Sequence, residues 1–283
     1  MRNLRNVRPR ERIFAVAGST RVGSPAESVF VKSKHLLIFV ISLLALQNAQ
    51  AGVDRKILLQ DMAAFDRAYV PALAVTGEHK LKAARKAMAR LNGEWKTFRN
   101  RYQGSLGSDK AWQEGFMQID AHIRRANAVV ANGDTLNQAH QALEEVRVIL
   151  MNLRRHDGMQ YFPDALTAYH EPMEAIVLAA RGKTARTLGE AELARISRTT
   201  LPEARRLWQA AVNTPMDAGV FRFKPARTQA VQAAIQQESE ALQKLEKALA
   251  SHDRAQIVPA VAAIKPPFAR LYRLFGDFTG LED

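Results

Sequence analysis

The chain has 283 residues, an apolar fraction of 47% and no cysteine. That length has room for two domains, and the missing thiols exclude disulfides, thiolate zinc sites, iron–sulfur clusters and covalently attached c-type haem. The net charge is +13, but residues 1–51 supply +6, and the other 232 residues carry a mild +7 with no dense Lys/Arg block interleaved with aromatics. Such a surface suits anionic lipid or acidic partners and gives no case for nucleic-acid binding.

Residues 1–30 are Arg-rich and without sustained period. They read as a disordered stretch upstream of a start at Val29 or Val31, expected to pack on nothing. Residues 31–51 read as a signal peptide. Lys32, Lys34 and His35 precede an apolar run from Leu36 to Leu46, and Ala49-Gln50-Ala51 places small residues where signal peptidase reads them. A run of eleven residues, with Ser42 its one polar member, is too short to span a bilayer of about 30 Å. Cleavage after Ala51 therefore predicts a periplasmic protein beginning at Gly52, with no transmembrane anchor in the mature chain.

From Asp54 onward Ala, Leu, Arg, Gln and Glu dominate, all good helix formers, and alternating strand-like runs are missing. Eight helices are predicted. The first four cover about 54–75, 78–102, 110–131 and 135–156. Gly104–Asp109 breaks the second, and Asn132-Gly133-Asp134 makes a C-cap and N-cap turn before the fourth. The fifth runs from about Pro163 to Arg181. The sixth spans 188–213, interrupted before Pro202 with Thr199 or Thr200 as cap. A loop over 214–224 leads to helices at 225–250 and 254–275, the last bent by Pro259, Pro266 and Pro267. In the third helix Trp112, Phe116, Ile119, Ile123, Ala126 and Val130 recur every three or four residues, a stripe that needs a partner surface. The predicted fold is all-α, two tandem up-and-down four-helix bundles over 52–158 and 159–283. An offset of 119 residues supports an internal repeat: Ala131-Asn132-Gly133-Asp134 falls on Ala250-Ser251-His252-Asp253, and Met88 on Leu207.

Trp112 to Arg155, with its paired helix lengths, ANGD turn and Ala spacing, resembles the last two helices of the soluble periplasmic b-type cytochromes and of the cytochrome c-prime bundles. The resemblance implies a bundle fold and a periplasmic location. Those cytochromes hold haem with a Met on the first helix and a His near the end of the fourth. Met62 matches the former, but Arg154 stands at the latter and cannot bind iron, which argues against haem.

The chemistry concentrates between Asp134 and Arg181. His140/Glu144 and His170/Glu174 each place two ligand types one helical turn apart. Glu144 lies 12 residues before His156 and Glu174 11 residues after Pro163. At about 1.5 Å per residue the two Glu fall at nearly the same level of an antiparallel hairpin. A transition metal ion (Fe, Zn, Mn or Cu) would suit that set, with Arg147, Met173, Asp164 and Tyr161 in support. The competing reading is an interhelical salt-bridge set of Glu144, Arg147 and Glu174, with His170 bonded to Tyr161 or Asp164. Met151, Met159 and Met173 would suit copper(I) but read as core. Asp61, Asp66, His79, His122 and His252 read as surface. No phosphate loop, nucleophile elbow or HExxH is present, so the chain reads as a non-enzyme. Three functions remain open: an exported bundle binding a metal ion or small ligand at the hairpin, a structural module binding an unknown protein partner, and a non-covalent haem protein.

Overall fold

A computed structural model of the chain describes residues 53–133 and 135–281. The expectations for residues 1–51 lie outside them. The described chain is all-α, without a strand among the described residues. Its helices are α1 (Arg55–Gly77), α2 (Leu81–Leu106), α3 (Lys110–Asn132), α4 (Asn137–His156), α5 (Phe162–Ala180), α6 (Glu190–Arg195), α7 (Leu201–Asn213), α8 (Ala218–Phe221), α9 (Pro225–Ala250) and α10 (Arg254–Arg273). No helix among the described residues is long and apolar enough to cross a membrane.

Local chemistry sets most of the boundaries. Asp54, Asp109 and Asp253 each accept hydrogen bonds from backbone N–H groups of the following turn, satisfying donors that have no partner within the helix. Gly133 ends α3 in the left-handed region at φ 74°, and His252 does so between α9 and α10 at φ 57°. These two residues occupy the same position of the 119-residue offset, so a left-handed residue recurs there. The second-helix register differs from the sequence reading. Met88, Leu91, Trp95 and Phe98 are buried on α2, and Leu201, Ala204, Trp208 and Ala211 are buried at the same spacing on α7. The burial pattern thus aligns Met88 with Leu201, not Leu207. Trp95 donates to Asp120 on α3 at 2.6 Å, and Trp208 donates to Ser239 on α9 at 2.8 Å.

Two further differences have physical causes. The expected break before Pro202 is instead a π-helical turn, Ile196–Thr200, joining α6 to α7. The wider turn absorbs the missing proline N–H without ending the helix. The expected loop over 214–224 contains the short α8, whose Phe221 packs against Tyr161, Phe223 and Phe275. Aromatic burial, rather than propensity, orders that segment.

Helices α1 to α4 pair mainly with one another, as do α5, α7, α9 and α10. The core is nevertheless continuous through the described residues, which form one compact unit. The shared wall is α1. It is buried on nearly every side, from Leu58 to Thr76, and touches α2, α4, α8 and α10.

Candidate functional site

Two buried polar centres lie along α1. The first lies at the turn between α4 and α5. Arg154 donates to both carboxylate oxygens of Asp164, at 2.8 and 2.5 Å, and to the Met62 sulfur at 3.5 Å. Its guanidinium also lies 4.5 Å from the Tyr161 ring centre. The Tyr161 hydroxyl donates to Asp66 at 2.6 Å. Burial pushes the Asp66 carboxyl up to about 6, while Arg154 and Tyr161 pull it down. Asp66 is therefore a core residue and not the surface residue that its sequence neighbourhood suggests. Asp164 and Tyr161 belong to this centre and do not approach His170.

The second centre forms where the C-terminal half of α1 meets α4, α5 and α10. His140, Glu144 and Arg147 project from successive turns of α4. His140 Nδ1 lies 3.0 Å from the Leu73 carbonyl of α1. The close approach depends on Gly77, where an added Cβ would sit 2.9 Å from the imidazole. Arg147 is buried, forms an ion pair with Glu144 and lies 2.5 Å from His170 Nδ1. Its guanidinium also packs 5.7 Å from the centre of the Tyr272 ring. These side chains border a cavity of about 210 Å³ whose apolar wall includes Leu73, Phe268 and Tyr272 and whose rim carries Lys265, Arg273 and Glu78.

Hydrogen-bond roles follow from the partners. A carbonyl oxygen only accepts, so His140 Nδ1 carries a proton. A guanidinium only donates, so His170 Nδ1 is a lone pair and the ring proton is on Nε2. Burial, then Arg147, Lys265 and His140, push the His170 imidazole down to about 2. It is a neutral donor at ordinary pH.

This arrangement brings together three of the four expected metal ligands but does not make them a ligand shell. Glu174 turns to α10, where Lys265 reaches its two oxygens at 2.9 and 2.7 Å, and Arg181 donates to it at 2.9 Å. The antiparallel-hairpin argument fails here because α4 and α5 pack only lightly, while α5 lies mainly against α7 and α10. The Arg147 guanidinium occupies the ground between Glu144 and His170, and it uses the imidazole lone pair that iron or zinc would need. The salt-bridge alternative is realised in altered form: Arg147 joins Glu144 to His170, and Glu174 belongs to Lys265 and Arg181. Met173 is fully buried core, and Met159 and Met151 are also buried.

Among the described residues, the one group of three His or carboxylate side chains with ligand atoms all within 4.8 Å of one another is Asp109, His156 and Asp157. Asp109 is already the α3 cap, and Asp157 accepts from the Trp112 indole at 2.8 Å. All three are at least partly exposed.

Sequence reasoning missed Glu238. It lies fully buried on α9, accepts a hydrogen bond from the Tyr169 hydroxyl, and leaves its other oxygen without a partner. Burial pushes its carboxyl up to about 7. The available signal was positional, because Glu238 lies 119 residues after the core residue Ile119. His122 also differs from expectation, since its Nδ1 is buried without a partner. No protein-family model, curated protein or solved structure matches this chain.

Proposed function

We propose that this protein is an exported helical bundle that binds a small organic ligand in the cavity between α1, α4, α5 and α10. The observation that carries the reading is unspent hydrogen-bonding capacity on the residues that line it. Buried polar groups are normally satisfied, and each exception asks for an explanation. Arg147 Nε is buried without a partner, and the His170 Nε2–H and Glu144 Oε1, on partly exposed side chains, have no hydrogen-bond partner in the protein among the described residues. The cavity is small, with one apolar wall and a few convergent polar groups, the usual make-up of a ligand pocket. Export rests on the apolar run Leu36–Leu46 and the Ala49-Gln50-Ala51 site. No group in the cavity pairs a nucleophile with a base, which supports binding rather than catalysis.

A purely structural role is the second reading. It is favoured by the rim cations, since Lys265 and Arg273 are already paired with Glu174 and Glu78. Native mass spectrometry of the protein isolated from a periplasmic extract, with elemental analysis of the same sample, separates the readings. The ligand reading predicts a protein beginning at Gly52, a bound species of low mass released on denaturation, and no stoichiometric metal. A stoichiometric transition metal would return the site to the metal hypothesis. A mass equal to the bare chain, unchanged by any added small molecule, would leave the structural role.

A further inference from the structure

Where the α2–α3 turn meets the end of α4, three side chains bring ligand atoms together. Asp109 caps the start of α3, and His156 and Asp157 close α4. Asp109 Oδ2 lies 3.3 Å from His156 Nε2, Asp157 Oδ1 lies 3.9 Å from the same nitrogen, and the three ligand atoms are all within 4.8 Å of one another. Neighbouring ligands held at about 2.1 Å from one ion stand about 3.0–3.4 Å apart. The distances to the imidazole are on that scale, and partly exposed side chains can close the rest. Both carboxylates are already aimed. Asp109 Oδ1 accepts from the Ala111 and Trp112 backbone N–H groups at 2.8 and 3.2 Å, and Asp157 Oδ2 accepts from the Trp112 indole at 2.8 Å. Trp112 is fully buried, so one fixed residue orients both acids. One oxygen of each is held from outside while the other faces the imidazole, which is how outer-shell hydrogen bonds position metal ligands.

A proton on His156 is the competing occupant. An imidazolium Nε2–H reaches Asp109 but not Asp157, since 3.9 Å is beyond hydrogen-bond range. It serves one of the two acids and leaves the other to water. A dication takes all three ligand atoms and balances both carboxylate charges. We infer that Asp109, His156 and Asp157 form a site for a divalent transition-metal ion of the zinc class. One imidazole with two carboxylates suits zinc rather than magnesium or calcium, which take oxygen ligands alone. Three protein ligands leave a coordination position open to water or to a second ligand. The bound ion would also clip the start of α3 to the end of α4. Only three ligands hold it, on partly exposed side chains, so it exchanges with solution and is read by adding it back to isolated protein. The site is separate from the cavity and does not rest on the ligand reading.

The test is a titration of zinc chloride into chelator-treated protein, followed by calorimetry and by the imidazole nitrogen signals. The expected result is one equivalent bound, with the His156 Nε2 signal moving as the ligand atom and returning when EDTA is added. An equal concentration of magnesium should not compete. His156→Ala should abolish the binding. Asp109→Asn keeps a helix cap and Asp157→Asn keeps an acceptor for the indole, so both should fold, as circular dichroism would show. Each should weaken zinc by about tenfold or more, the scale of one lost charged ligand. If either Asn variant binds as tightly as the unaltered protein, His156 is acting as a lone surface histidine and the three-ligand site is overturned. Binding that survives His156→Ala would place the ion elsewhere, and no heat and no shift at millimolar zinc would remove the site. None of the three residues lines the cavity, so none of these results bears on the ligand reading.

Discussion

The two polar centres along α1 are each built around a buried arginine from α4 and are used in opposite ways. At the α4–α5 turn, Arg154 is closed in by Asp164, Met62 and Tyr161, and Tyr161 in turn closes Asp66. At the cavity, Arg147 has one carboxylate, one imidazole and an unpaired Nε. A buried network in which every member is satisfied fixes a fold, whereas a partly satisfied one costs stability. The first centre therefore reads as structure, locking α1 to the junction of the two halves. The second keeps donors and acceptors free beside an open space, and this is where a ligand would recover the lost hydrogen bonds.

The largest effect should come from opening the sealed centre. Arg154→Met would leave Asp164 and Asp66 buried without their cation, and losing one partner of a buried pair costs about 3–5 kcal/mol. Urea unfolding should show that loss. A loss under about 1 kcal/mol would mean that the centre is not sealed. Glu238 gives the next effect, because it is a buried carboxyl whose desolvation outweighs the Tyr169 hydrogen bond and the pull of Arg270. Its folded value near 7 lies above the ordinary 4.5, so from pH 4.5 to 7 the unfolded chain releases a proton that the folded chain keeps. The contribution of Glu238 to stability should fall by on the order of 3 kcal/mol as pH rises through that window, at about 1.4 kcal/mol per unit. Glu238→Gln, which still accepts from Tyr169, should flatten the fall. The slope left in the variant then belongs to Asp66, whose carboxyl near 6 acts in the same direction, and to His170, whose value held down at about 2 acts in the opposite one. Identical pH profiles for the two proteins would contradict the assignment.

Arg147→Met should cost less than Arg154→Met, about 1–3 kcal/mol, because its partner Glu144 is only partly buried and can turn to water. The same variant should raise the His170 value, since Arg147 is the main charge holding it down. An unchanged His170 titration would show that the guanidinium does not govern the ring. The smallest effect is expected at Gly77→Ala. Helix propensity gains up to about 1 kcal/mol, and the lost His140–Leu73 bond takes back a similar amount. Net stability should hardly move while the His140 resonances shift strongly. Unshifted resonances would mean that the tight packing at Gly77 does not set the ring.

How much of this could be read in the sequence follows from the range of the forces involved. Helix existence depends on local periodicity and caps, so Asp54, Asp109, Gly133 and the Trp112-to-Val130 stripe are visible in it. The choice of His140, Glu144, Arg147 and His170 as neighbours was also legible, because i, i+3 and i, i+4 spacings on α4 place three of them on one face. Which cation answers which carboxylate was not. Lys265 lies 91 residues from Glu174, and that pairing depends on where α10 packs. Asp66 was misread for the same reason, since its partner Tyr161 is 95 residues away. Glu238 carries no local mark, because helical periodicity shows that a position faces the core but not why a carboxylate occupies it.

The measurement closest to the central claim is a long-range proton–nitrogen spectrum of the imidazoles, recorded from pH 5 to 8 on the purified protein without added metal. The account predicts that His170 holds one proton, on Nε2, with Nδ1 bare across the whole range, and that His140 carries its proton on Nδ1 when neutral. His170 titrating between pH 6 and 7, or carrying its proton on Nδ1, would contradict the donor role on which the ligand cavity is built.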